Sequence, residues 1–144
     1  MPFIKVWIHF VWSTKNRIPF MHTREIRQTI FTHIKENAKE KGIYIDFING
    51  YTDHVHCLVS LGIDQSMSKI MQLIKGESAF WINKHGICGE KFEWQDEYFA
   101  VSVSESVVDR VRNYIRHQEE HHQKKTFAHE YNEFIEKYDF QKFK

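Results

Sequence analysis

The stretch with the clearest chemical potential lies near the middle of the chain, at Asp53-His54-Val55-His56-Cys57-Leu58-Val59. Its alternating pattern predicts a β-strand, because successive side chains of a strand point to opposite faces. The apolar set then faces a core of helices, and His54 and His56 project side by side on the other face, roughly 6–7 Å apart. Two neutral imidazoles this close can share a divalent ion, or they can be ordinary histidines of a sheet surface. A metal centre also needs a third ligand and a reacting group.

Composition limits the kinds of protein that can surround this strand. A length of 144 residues predicts one domain, residues 1–144, with one core. The hydrophobic fraction of 42% and the aromatic fraction of 15% are typical of a folded globular protein and exclude a disordered one. The net charge of +1 with neutral histidines excludes a global basic field, so any nucleic-acid binding needs a local patch.

The two cysteines and the N-terminus bear on location. Cys57 and Cys88 have no framework spacing, which predicts free thiols in a reducing compartment. The first residues lack the apolar region of a signal peptide, and no run approaches membrane-spanning length. We therefore expect a cytoplasmic protein with no membrane partner.

Periodicity predicts alternating strands and helices. The predicted strands cover residues 4–12, 43–48, 53–59 and 92–103, with Asn49-Gly50 as a hairpin turn between the second and third. The first helix is capped by Thr23 and ends at about Lys41, before Gly42. The second is capped by Asp64 or Ser66 and buries the stripe Met67, Ile70, Met71, Ile74, Ser78 and Trp81.

The C-terminal part of the chain adds helices to this pattern. Ser104 is expected to cap a third helix that runs to about His122, and a last amphipathic helix carries Phe127, Tyr131, Phe134 and Tyr138. The order β-α-β-β-α-β predicts an α+β fold of the ferredoxin-like (RRM-like) type, an antiparallel sheet with helices on one face and extra C-terminal helices.

The third helix supplies candidates for the missing groups. Tyr114 and Gln118 are four residues apart and share a helix face, with His121 one turn further on. They lie at the edge of the apolar stripe of the helix. They are either functional groups or a boundary tyrosine followed by a solvated helix end.

Taken together, these motifs resemble the single-tyrosine HUH transposases of small bacterial insertion sequences, the IS200-like family. The resemblance spans nearly the whole chain, and its other motifs are Val11-Trp12-Ser13-Thr14-Lys15 with Arg17, Lys75-Gly76-Glu77-Ser78, Trp94-Gln95-x-x-Tyr98 and Gln118-x-x-His121-His122. The fold of that family is ferredoxin-like, as the periodicity here predicts.

The resemblance implies a set of roles. His54, His56 and Gln118 would hold a divalent metal, Mg²⁺ or Mn²⁺, which suits mixed nitrogen and oxygen ligands. Tyr114 would be the nucleophile that cleaves single-stranded DNA, forming a 5′-phosphotyrosine intermediate and freeing a 3′-hydroxyl that can rejoin DNA. The resemblance further implies recognition of hairpins at element ends and a homodimer with shared active sites.

Other polar residues have open assignments. His121 and His122 could support the ligands or contact phosphate, or could form a polar helix end. Asp53 is assigned to turn chemistry at the start of the strand and not to the metal, and His9 stays open. Lys15, Arg17, Lys69 and Lys75 could contact phosphates, and Trp12 could stack on a base, although each lysine could equally be a solvated surface residue.

The main hypothesis is therefore a DNA transposase, and three alternatives remain. The first is a domesticated DNA-binding or nicking protein of the same fold that no longer transposes. The second is a metal-binding or RNA-binding ferredoxin-like module, which predicts exposed aromatic residues on the inner strands. The third is a replication-type nicking enzyme, which the small size and lack of an origin-binding region disfavour.

Overall fold

Four strands form one antiparallel sheet in the computed structural model, which describes residues 2–138. The strands lie in the order β2-β3-β1-β4, which with the chain order below is the predicted ferredoxin-like arrangement. The elements are β1 (Trp7–Ser13), α1 (Arg24–Glu40), β2 (Tyr44–Gly50), β3 (His54–Ser60), α2 (Met67–Lys84), β4 (Phe99–Val103), α3 (Val108–Arg116), α4 (Gln118–His122) and α5 (Phe127–Lys137). The predicted domain, residues 1–144, extends beyond the described residues at both ends.

The main core lies between one face of the sheet and helices α1 and α2. Val55, Cys57 and Val59 of β3 are fully buried there, and each fully buried aliphatic side chain stabilises the fold by about 1.5–3 kcal/mol. Helix α1 begins as predicted, because the side chain of Thr23 accepts a hydrogen bond from the backbone of Ile26. Gly42 follows it with a φ of +75°, a conformation that favours glycine.

The predicted hairpin between β2 and β3 is present, but the predicted position of its turn is wrong. Asn49 and Gly50 are still paired strand residues, opposite His56 and Val55, and the turn lies at residues 51–53. A Cβ on Gly50 would lie 2.2 Å from the carbonyl oxygen of His54. Glycine is therefore needed here for the close approach of two backbones rather than for a tight turn.

Two predictions in the middle of the chain also differ from the structure: the buried residues of α2 and the extent of the fourth strand. Ser66 caps α2 as expected, but Met67 is 43% exposed, and Ile82 is buried in the helix instead. The fourth strand covers only Phe99–Val103. The segment before it makes a single bridge between Trp94 and Thr14, because its side chains fill the core rather than extend the sheet edge.

The predicted third helix is broken in two. Ser104 precedes only a short 3-10 turn, without a side-chain cap. Helix α3 ends at Arg116, and His117 separates it from α4. The side chain of Asn49 donates hydrogen bonds to the carbonyls of Ile115 and Arg116, at 3.0 and 3.1 Å. A residue of β2 therefore caps α3, which local sequence could not reveal. No helix within residues 2–138 is long and apolar enough to span a bilayer.

Candidate active site

His54 and His56 lie on the face of β3 that points away from α1 and α2, as the alternation predicts. Both side chains are at 0% exposure, because α4 and α5 cover this part of the sheet. The ring of Phe127 stacks on His54 with centroids 4.2 Å apart. The two histidine rings are 5.2 Å apart, so they can reach one ion from a site closed to solvent.

Asp53 orients His54. Nδ1 of His54 is 2.8 Å from Oδ1 of Asp53, and an ionised carboxylate only accepts hydrogen bonds, so Nδ1 carries the proton and Nε2 of the neutral ring keeps its lone pair. Carboxylates commonly fix metal-binding histidines in this way. Asp53 lies in the turn before β3, as predicted, and its side chain also supports His54.

His9, left open by the sequence, supports His56 from the neighbouring strand β1. Nε2 of His9 is 2.9 Å from Nδ1 of His56. Burial, and next the proximity of His56, lower the pKa of His9 to about 3. Burial also lowers the pKa of His56 to about 4, although Glu130 opposes this shift. Both rings are therefore neutral at neutral pH, the form in which imidazole binds metals.

Gln118 meets His54 from α4. Its Oε1 is 3.1 Å from Nε2 of His54 and 3.1 Å from Nε2 of His122, while its Nε2 donates to the backbone carbonyl of Tyr114 at 3.4 Å, which favours this orientation of the amide. Nδ1 of His122 lies 2.7 Å from the carbonyl oxygen of Lys125 and must donate to it. His122 therefore also presents a lone pair at Nε2 when neutral, and it belongs to the cluster rather than to a solvated helix end.

Four groups thus bring their possible metal-ligand atoms close together. The ligand atoms of His54, His56, His122 and Glu130 all lie within 4.8 Å of one another, and the amide oxygen of Gln118 lies between two of them. Hydrogen bonds to Glu130 join the rings of His56 and His122 to the cluster, and a divalent cation bound by the same atoms would replace those protons. This buried group therefore has the donor set of a metal site.

Tyr114 reaches the same cluster from α3. Its hydroxyl donates a hydrogen bond to Oε2 of Glu130, and its ring lies 5.5 Å from that of His56. Burial, and next the charge of Glu130, raise the pKa of Tyr114 well above its usual value. Burial alone would raise the pKa of Glu130, but hydrogen bonds with His122 and His56 hold it far below its usual value. The pair therefore rests as a phenol beside a carboxylate.

Glu130 is the main residue that sequence reasoning missed. It is 2% exposed and lies within the apolar stripe of α5, between Phe127 and Phe134. A charged residue on an apolar helix face is a usable signal, because such a group is rarely buried without a partner. His9 was also detectable, since it shares a strand face with Val11, which pairs with His56.

Two of the predicted DNA contacts do not fit their positions. Trp12 is 1% exposed and packs edge-on against Trp94, with centroids 5.8 Å apart, so its ring has no face open to a base. The ammonium of Lys75 donates to the carbonyls of Gln95 and Asp96, at 2.5 and 2.9 Å. We therefore correct both: Trp12 is a core residue, and Lys75 stabilises the segment before β4 through these hydrogen bonds.

The other predicted cations remain near the surface. Lys15 lies 3.5 Å from Glu93, and Lys69 is exposed on the first turn of α2. Arg17 lies over Tyr131, 4.8 Å from the ring centroid, beside a cavity of about 410 Å³ that Ser13 and Phe127 also line. His121 reaches the cluster edge, with Nε2 3.4 Å from Oε2 of Glu130.

The RNA-binding alternative does not match the sheet. It requires exposed aromatic residues on the inner strands, β1 and β3. The aromatic residues of β1 are Trp7, Phe10 and Trp12, and all three are buried. The face that an RNA-binding module would expose instead carries histidines under helices.

Comparisons with known proteins bear on the fold and on the family. No curated protein matches the chain. A solved structure of a candidate transposase from Deinococcus radiodurans R1 has 20% sequence identity and a TM-score of 0.65, covering 81% of this chain and 93% of that one. A REP-associated tyrosine transposase bound to a REP hairpin has 19% identity and a TM-score of 0.59, covering 85% and 72%. These structures support the fold.

The family assignment comes from a sequence model. The model described as "Transposase IS200 like" matches residues 3–118, which include His54, His56, Tyr114 and Gln118 but end before α5. The resemblance in the sequence is thereby confirmed, and the chain belongs to the IS200-like transposase family.

Proposed function

We propose that this transposase cleaves and rejoins single-stranded DNA in a metal-dependent reaction, with Tyr114 as the nucleophile. One observation carries the proposal: the Tyr114 hydroxyl lies at the edge of a buried histidine cluster with the donor set of a metal site. His54, His56 and Gln118 are the proposed ligands, and Mg²⁺ or Mn²⁺ the proposed metal. When bound, the ion would orient the scissile phosphate and stabilise the charge that develops on it.

The residues of the chain have separate tasks in this reaction. Asp53 and His9 hold the imidazoles of His54 and His56 in orientation. The oxygen of Tyr114 forms a bond to phosphorus as the bond from phosphorus to the 3′-oxygen breaks. The phenol loses one proton and the departing 3′-oxygen gains one, so the step is balanced in protons. Attack of a 3′-hydroxyl on the phosphotyrosine reverses these steps, so rejoining needs no ATP.

The proposed substrate is single-stranded DNA with hairpins near element ends. Support comes from the structural relative that is bound to a REP hairpin. Lys15, Arg17 and Lys69 are the remaining candidates for phosphate contacts. We also infer that the chain acts as one domain in the cytoplasm, because β1, β3, α3, α4 and α5 all contribute to one site and both cysteines are free.

The proposal is tested by looking for a covalent adduct between the protein and DNA. The protein is incubated with labelled single-stranded hairpin oligonucleotides from its own genomic flanks, with Mg²⁺, Mn²⁺ or EDTA, and resolved on a denaturing gel. We expect a metal-dependent, protease-sensitive adduct that is absent in Tyr114→Phe, with Tyr131→Phe as the control. DNA binding without an adduct under any condition would instead favour the domesticated DNA-binding protein, and an adduct in Tyr114→Phe would exclude Tyr114 as nucleophile.

The homodimer with shared sites stays a prediction from the resemblance. The Tyr114 hydroxyl donates to Glu130 of its own chain, whereas the resemblance implies that the tyrosine of one subunit completes the histidine site of the other. Mixing Tyr114→Phe with His54→Ala distinguishes the two arrangements. Neither variant should cleave alone. An active mixture would mean that the tyrosine of one subunit serves the histidines of the other, as the resemblance implies, and an inactive mixture would mean that each site is built from one chain. The mass in solution, from light scattering, tests the dimer independently.

A further inference from the structure

Glu130 of α5 is a buried carboxylate at the centre of the histidine cluster, and the proposed function gives it no role. It is 2% exposed, and burying a charge costs several kcal/mol unless close partners offset it. Within residues 2–138, the basic groups that approach it within 4.0 Å are imidazoles: His54, His56, His121 and His122. No lysine or arginine of this part of the chain neutralises it at that distance.

The two oxygens of this carboxylate face different groups. Oε1 points into the ligand cluster, 3.0 Å from Nε2 of His56, 3.4 Å from Nε2 of His122 and 3.6 Å from Nε2 of His54. Oε2 accepts the hydrogen bond of Tyr114. One carboxylate therefore joins the nucleophile to the atoms that would surround the ion.

The distances suit ligands of a single ion. A metal–ligand bond of about 2.0–2.3 Å separates ligands on opposite sides of an ion by about 4–4.6 Å and adjacent ones by less. The mutual separations of Oε1 and the ligand nitrogens of His54 and His56 stay within 4.8 Å, and the amide oxygen of Gln118 is 3.1 Å from Nε2 of His54. Only small side-chain movements would bring these atoms into coordination.

We propose that Glu130 is itself a ligand of the metal ion, binding through Oε1 as the anionic member of a set with His54, His56 and Gln118. This proposal rests on the metal site of the proposed function and extends it. The ligand comes from α5, outside the segment that matches the family model, residues 3–118. Metal binding would then fasten α5 to the sheet, and Oε2 would hold the Tyr114 hydroxyl beside the ion.

Metal binding by the metal-free, full-length protein tests the proposal without an activity assay. Mn²⁺ is titrated while the signal of free Mn²⁺ is followed by electron paramagnetic resonance. We expect Glu130→Gln, which keeps the volume, to weaken Mn²⁺ binding at least tenfold, since loss of a group that merely supports a ligand already costs about 10–100-fold. Glu133→Gln is the matched control on the same helix, because Glu133 is 49% exposed and pairs with Lys125 outside the cluster.

The outcomes separate this inference from the proposed function. Mn²⁺ binding by wild type and Glu130→Gln with equal affinity would overturn the Glu130 assignment alone, whereas no binding by wild type would overturn the metal site itself. Circular dichroism checks the fold of each variant. If Glu130→Gln does not fold, anomalous diffraction from Mn²⁺-soaked wild-type crystals decides: we expect the ion about 2.0–2.3 Å from Oε1, and an ion bound without Glu130 would overturn the proposal.

Discussion

The face of the sheet under α1 and α2 differs from the face under α4 and α5 in the side chains that it buries. Towards α1 and α2, β3 directs Val55, Cys57 and Val59, which pack without polar partners. Towards α4 and α5, the same strand directs His54 and His56 into a cluster of hydrogen-bonding groups. Alternate residues of one strand therefore serve different purposes: one set packs in the core and the other forms the histidine cluster. The face with the histidines can be polar without weakening the core.

The same contrast explains the difference between two buried titratable groups of β3. Burial raises the pKa of Cys57 far above its usual value, so the thiol stays protonated and behaves as a small apolar residue. His56 is equally buried but has His9 and Glu130 as partners. What makes a buried group chemically useful here is its partners, not its burial.

The largest effect is expected from a substitution on the face of the sheet that carries the histidines. His56→Ala removes a proposed metal ligand, and we expect formation of the DNA adduct to fall by about 10²–10³-fold or more, as on loss of a preorganised electrostatic group. A quantitative adduct assay measures the decrease. The exposed His85, changed to alanine, is the control, and adduct formation by His56→Ala at the wild-type rate would show that the two faces do not differ in function as we describe.

Substitutions on the opposite face, under α1 and α2, should change the stability of the protein instead. Ile30 of α1 is at 0% exposure in the main core, and Ile30→Ala should lower the free energy of unfolding by about 2–5 kcal/mol. Ile30→Val should lower it by about 0.5–1.5 kcal/mol. Urea denaturation measures both, and the folded fraction should keep its Mn²⁺ affinity. A loss of metal affinity by folded Ile30→Val would contradict the separation of the two faces.

Loss of a residue that supports a metal ligand should have a smaller effect than loss of a ligand. Asp53→Ala removes the acceptor for Nδ1 of His54, and we expect Mn²⁺ affinity to fall by about 10–100-fold. The titration by electron paramagnetic resonance described above measures it, with the exposed Asp64→Ala as control. Unchanged affinity would mean that the strand alone orients His54.

The smallest effect is expected where α4 meets α1 at the surface. The Arg24 guanidinium donates to Glu119 at 2.8 and 3.2 Å and lowers the pKa of that carboxyl. A carboxyl with a lowered pKa in the folded state stabilises the protein above its unfolded pKa, and this contribution disappears as the pH falls through the folded pKa. Glu119→Gln should therefore lower the melting temperature slightly at pH 7.

The difference between Glu119→Gln and wild type should shrink as the pH is lowered towards 3. It should be small throughout, because the Arg24 side chain is 65% exposed and water screens the pair. Melting curves across the pH series measure it. A difference that grows towards acid pH would contradict the assigned sign.

The local pattern of the chain was enough to predict the sheet, the two faces of β3 and the cap of α1. These features depend on a period of two or 3.6 residues and on neighbouring side chains, both of which are visible along the sequence. Alternation placed His54 and His56 together, spacing singled out Tyr114 and Gln118, and the resemblance implied roles for all four.

Only the tertiary structure decided what surrounds these residues. The break between α3 and α4 depends on Asn49, a residue of β2. The place of Glu130 depends on how α5 packs across the sheet, and the burial of Trp12 depends on its contact with Trp94. Such contacts join residues far apart in the chain, and their free energy arises only when the elements pack, so no local period of the sequence records them.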